Sequence, residues 1–139
     1  MDKSEGKFNS DEEISRVLDS VFMTREASVL FVLAAINALM VKNKKGIEFG
    51  VLCYILSEVS TMCTRREFHM LIGILITAGL LSHKDILDSD GDSSALVFLA
   101  NEKIGSYATR ELLNDLPEFY DKIDKLKETD AAEIKRDYK

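Results

Sequence analysis

The run from Ala27 to Val41, ASVLFVLAAINALMV, constrains this chain more than any other segment. Only Ser28 and Asn37 interrupt it. As a helix it is apolar on nearly all sides, so other elements must enclose it. It falls short of the ~20 residues that span a bilayer. It therefore predicts a buried core helix and no membrane partner. The length of 139 residues fits one domain, with 46% hydrophobic residues to fill a core and 30% charged residues to coat it. One proline and seven glycines favour helices over many short strands.

Around this core helix the sequence marks further elements. Residues 1–9 are polar and read as a disordered tail without a secretory or transit segment. Ser10 to Glu13 spells S-x-x-E, a capping box, and opens a helix with Ile14, Val17, Leu18, Val21 and Phe22 on one face. Thr24 is placed to cap the core helix, with Glu26 in its first turn and Lys42, Lys44, Lys45 and Gly46 at its end. A third helix is predicted from about Ile47 to Ser60, with Phe49, Leu52, Cys53 and Leu56 on one face. Thr64 to Glu67 is a second capping box. It opens a helix with Phe68, Leu71, Ile72 and Leu75 at helical spacing, closed by Gly79.

Two strands follow, about Leu80 to Lys84 and Ala95 to Leu99, around the turn signal Asp88-Ser89-Asp90-Gly91-Asp92-Ser93. Asn101 caps a helix to about Leu116. Asp115 and Pro117 start a last one, with Phe119, Ile123, Leu126 and Ile134 as its apolar stripe. The expected fold class is mainly α: a winged helix, meaning a helix-turn-helix plus a two-stranded β wing, with flanking N- and C-terminal helices. It spans residues 10–116, and residues 117–139 form a C-terminal helix frayed at its end. The helix from Thr64 is the expected recognition helix and Asp85 to Ser94 the wing.

Chemistry-bearing motifs are sparse. G-x-S-x-G, Walker-type, H-E-x-x-H and C-x-x-C patterns are absent from the sequence, so neither an enzyme nor a cofactor is expected. Cys53 and Cys63, with His69 and His83, complete no zinc spacing, and two reduced thiols fit an intracellular protein, nuclear if eukaryotic. Asp88, Asp90 and Asp92 have the first three positions of a calcium loop. Ser93 and Leu99 stand where that loop needs Gly and Glu, which leaves a polar turn.

The net charge of -6 excludes a general nucleic-acid coat, because such coats neutralise phosphates. Any double-stranded DNA contact must come from a local patch. The candidates are Arg65, Arg66, His69 and Lys84, aided by the N–H groups at the helix start. The alternative is that both arginines are solvated or pair with acids such as Glu67. Lys42, Lys44 and Lys45 can add a phosphate contact only if the fold sets them beside Arg65. The wing acids Asp85, Asp88, Asp90 and Asp92 oppose DNA. Met70, Gly73 and Ile74 give the fourth helix an apolar outer side, read either as packed beneath the C-terminal helices or as a protein interface. Met70 and Ile74 are the candidate partner-binding residues.

The stretch Val29 to Leu99 resembles the C-terminal winged-helix domain of the Orc1/Cdc6 replication initiators. VLFVLAAINALM is followed by VLCYILSEVS and by TRREFHMLIGILITAGLL. The last is similar to the family's entry into a leucine-rich helix ending in Gly-Leu. The wing, the strand ALVFL and the closing helix IGSYATRELLNDLP complete the likeness. The resemblance implies a non-enzymatic module that assists origin DNA binding and assembly of a protein complex in DNA replication. It carries DNA contacts to Arg65, Arg66 and the wing, though an acidic wing departs from the pattern. The ATPase part of that family has no counterpart in this sequence. The order of elements also resembles MarR-type dimeric transcription regulators, with ALVFLANEKIGSYATRELL as the strand and helix after the wing. That alternative implies a homodimer. A third reading, from a different class, is an acidic winged helix used only for protein–protein interaction.

Overall fold

Ten of the thirteen residues of the helix Ala27–Leu39 are buried, and the other elements are arranged around it. The computed structural model describes residues 10–22, 27–87 and 90–138. In chain order the elements are α1 (Asp11–Phe22), α2 (Ala27–Leu39), β1 (Ile47–Glu48), α3 (Phe49–Val59), α4 (Arg65–Thr77), β2 (Leu81–Leu87), β3 (Ser93–Leu99), α5 (Glu102–Asp115), a 3-10 turn (Pro117–Phe119), α6 (Tyr120–Leu126) and α7 (Ala131–Tyr138). The protein is thus mainly helical with one small antiparallel sheet. Thr24, Glu26, Asp88, Ser89 and the side chains of Val21 and Phe22 lie outside the described residues. No helix among the described residues is long and apolar enough to cross a membrane.

Local signals account for most boundaries. The Ser10 hydroxyl accepts the Glu13 N–H at 3.2 Å and starts α1, which buries Ile14 and Leu18. An Arg110–Asp11 ion pair ties α1 to α5. Asn101 caps α5 by accepting the Lys103 N–H at 2.9 Å. Helix α5 runs closely along α2. A Cβ on the buried Gly105 would come within 2.7 Å of the Asn37 Cβ, so only glycine permits this approach. At the centre, the Phe31 ring lies 5.3 Å from Phe119 and 6.1 Å from Phe68, in tilted arrangements that suit aromatic quadrupoles.

Three expectations need correction. Helix α2 ends at Leu39, not Val41, and Asn43 organises its end. The Asn43 N–H donates to the Leu39 carbonyl, and its side-chain amide donates to the Leu39 and Thr129 carbonyls at 2.9 and 3.1 Å. Its Oδ1 accepts the Ala131 N–H at 3.3 Å, joining the end of α2 to the start of α7. The predicted third helix does not begin at Ile47. Ile47 and Glu48 form strand β1 against Val97 and Leu96, and Glu48 then caps α3 through bonds from the Gly50 and Val51 N–H groups. Gly46 reaches this strand with φ of +112°.

The C-terminal segment is also not one fraying helix. It breaks after Leu126, and Asp130 restarts it by accepting the Ala132 N–H at 3.0 Å. Ala131 is buried, Ile134 packs against the core, and α7 contacts α3.

Strand order is β1-β3-β2. Strands β2 and β3 form a hairpin from Leu81↔Leu99 to Leu87↔Ser93, longer than predicted, and Gly91 in its connection has φ of +86°. On the inner face Leu81, Val97 and Leu99 are buried with Ile47. On the outer face the Glu48 carboxylate accepts the Ser94 hydroxyl at 2.7 Å.

Candidate functional site

Helix α4 stands between α3 and the hairpin, and both of its ends are fixed by its own sequence. The Thr64 hydroxyl accepts the Glu67 N–H at 3.1 Å, and the Glu67 carboxylate accepts the Thr64 N–H at 2.9 Å. This is the capping box expected from the sequence. At the other end the Gly79 N–H donates to Ile76 and the Leu80 N–H to Leu75, with Gly79 at φ of +86°. This pair of bonds is a Schellman stop, which a residue with a Cβ adopts with strain.

The bond from the Thr64 N–H, with a smaller contribution from its hydroxyl, holds the Glu67 carboxyl below its ordinary value. A depressed carboxylate contributes stability above its unfolded pKa and loses it as pH falls through the folded value. Acid titration of Glu67→Gln, followed by circular dichroism, should therefore show a shallower loss of stability below about pH 4.5 than the parent. Thr64→Ala should cost about 1 kcal/mol at neutral pH. Identical acid limbs for Glu67→Gln and parent would remove this role.

Phe68, Ile72 and Leu75 form the buried face of α4. The opposite face is exposed at Arg66, Met70, Gly73, Ile74 and Thr77. The expectation that Met70 and Ile74 pack beneath the C-terminal helices is overturned, since Met70 is 61% and Ile74 41% exposed. Those helices lie elsewhere, α6 against α2 and α7 against α3.

The basic candidates are distributed unevenly. Arg65, Arg66 and His69 line a shallow depression with Gly50 and Cys53, where the first turns of α3 and α4 meet. The Arg65 guanidinium lies over the Tyr54 ring at 5.3 Å, a cation–π contact. The His69 ring meets Phe49 edge-on at 4.5 Å between centroids. Two of the three groups are thus aligned by aromatic residues of α3, and sequence inspection gave neither pairing. Lys84 is exposed on β2 opposite Leu96 and does not border the depression. Asp85, Asp90 and Asp92 are exposed on or beside the hairpin, and Asp85 sits 3.9 Å from the His83 ring nitrogen.

The lysine cluster lies apart from this depression. Lys42 pairs with Glu128 at 4.0 Å, and Lys44 borders a different hollow with Asn37, Met40, Val41, Leu99 and Glu102.

Cys53 is buried, and its thiol is pushed up to about 11, first by burial and then by the negative Glu48, with Arg65 acting in the opposite direction. It stays protonated near neutral pH and is a poor nucleophile there. Among the described residues no group of three metal-binding side chains converges. No protein-family model, curated protein or solved structure matches the chain.

Proposed function

We propose that this chain is a winged-helix module of the replication-initiator kind, which meets duplex DNA with the first turns of α4 and assists assembly of a protein complex. The observation that carries this reading is the exposed group Arg65, Arg66 and His69 on the start of a helix that is preceded by a turn and followed directly by a hairpin. In a helix-turn-helix the N-terminal residues of the second helix approach base edges and phosphates. The helix start adds the positive end of its dipole. With a net charge of -6, affinity must come from this patch alone, so it should be modest and strongly weakened by salt.

Titration of a labelled duplex at two salt concentrations tests the proposal. Binding is expected at low salt, and Arg66→Ala should weaken it and flatten the salt slope by about one unit if it makes one phosphate contact. Absence of binding at low salt would overturn the DNA role.

A second reading is a winged helix that joins only proteins. The acidic hairpin and the exposed Met70 and Ile74 favour it, since a groove-reading helix should be polar and basic along its length.

A further inference from the structure

The depression between α3 and α4 is lined by Gly50, Cys53, Arg65, Arg66 and His69, and none of these is an acid. Arg65 and His69 stand four residues apart on α4, and Arg66 and His69 three apart, so one helix face gathers all three. Like charges at that spacing repel, a cost that a bound anion removes. The Tyr54 and Phe49 rings steady Arg65 and His69 from the neighbouring helix, so less side-chain freedom is lost when an anion arrives. A guanidinium fork also matches the oxygens of a phosphate.

The nearby carboxylates are engaged elsewhere. Glu67 accepts the Thr64 N–H. Glu48 accepts the Gly50 and Val51 N–H groups and the Ser94 hydroxyl. Neither borders the depression, and nor do His83, Lys84 or Asp85 of the hairpin. The field of Glu48 still reaches the Cys53 thiol, where Arg65 opposes it. Attraction for an anion is therefore reduced, and a third positive charge on His69 matters the more.

We propose that this depression seats a single phosphate group, held by Arg65, Arg66 and the imidazolium form of His69. Histidine gains its charge in the range around pH 6.5, and a bound anion favours the charged form, so binding tightens as pH falls through that range. The seat deepens the DNA reading, and rests on it in one respect: the phosphate is one of the duplex backbone.

Sulfate is the probe, because its charge stays fixed between about pH 5.5 and about pH 8, on either side of the histidine range. The full chain is titrated with sodium sulfate against sodium chloride at matched ionic strength, and the arginine Nε–H and histidine ring signals are followed by NMR. Saturating shifts are expected at about pH 5.5, with a Kd on the order of millimolar, and about threefold or more weaker binding at about pH 8. His69→Gln should level the two pH values. Arg66→Ala should weaken binding about threefold to fivefold at both, the scale of one exposed ion pair. Shifts that never saturate, or that chloride reproduces, would overturn the seat. Equal affinity at the two pH values, or binding indifferent to Arg66→Ala, overturns it too. A short duplex added to the sulfate-bound protein is expected to displace the ion and move the same signals. Saturation by sulfate without displacement by the duplex upholds the seat, assigns it to a free phosphate and overturns the DNA reading, so the two failures are read separately.

Discussion

Replacing Phe31 by alanine is expected to cost about 3–5 kcal/mol, the range found when a buried phenylalanine is truncated. Phe31 has no exposed surface, and its ring touches Phe119 on one side and Phe68 on another. The three rings come from α2, the turn before α6 and the inner face of α4. The cavity would open where three separate parts of the chain meet, and none can close it without moving a helix. Against a typical total of about 5–15 kcal/mol, the variant should unfold at much lower denaturant or fail to fold. Urea unfolding followed by circular dichroism measures the difference. A loss under about 1 kcal/mol would mean that the aromatic cluster is not the keystone of the core.

The second large effect is expected at Gly46. Its φ of +112° lies in a region that residues with a Cβ rarely adopt, which alone costs about 1–3 kcal/mol. A Cβ there would also stand 2.7 Å from the Val97 carbonyl oxygen, a backbone atom at the centre of the sheet. Val97 pairs with Ile47 directly after Gly46, so relief of the clash must loosen the pairing of β1 with β3. Gly46→Ala should therefore destabilise by more than the strain alone and speed hydrogen exchange at Ile47 and Glu48 before the helices open. Gly91→Ala is the control, because Gly91 also has positive φ but a Cβ there meets nothing within 4 Å. Equal losses at the two positions would show that the sheet contact adds nothing.

Elements whose signals are local were legible in the sequence. The Ser10 hydroxyl cap, the capping box at Thr64, the Asn101 cap and the Gly91 turn each act within a few residues, and they set the start of α1, α4 and α5 and the position of the hairpin. Strand β1 was not legible. Ile47 and Glu48 become a strand only because β3, almost fifty residues later, lies beside them. Helix α7 had a local signal that the fading apolar stripe concealed, since Asp130 with Glu133 three residues on is a helix-start pattern.

At the candidate site the exposure of Arg65, Arg66 and His69 followed from helix position. Their aromatic supports Tyr54 and Phe49 belong to another helix and left no mark in the spacing. The choice between the two readings of α4's outward face was not legible for a related reason. Periodicity identifies an apolar face but not which neighbour will cover it, and here the C-terminal helices cover α2 and α3 instead.

The hydrogen bond between Glu48 and Ser94 gives the hairpin a mechanical connection to the helices. One carboxylate holds the Ser94 hydroxyl and also the Gly50 and Val51 N–H groups in the first turn of α3. Ser94 is thereby joined to the start of α3, the helix whose Tyr54 and Phe49 meet Arg65 and His69. That side chain acts beside the pairing of β1 with β3 and the packing of β2 on α4 and of β3 on α3.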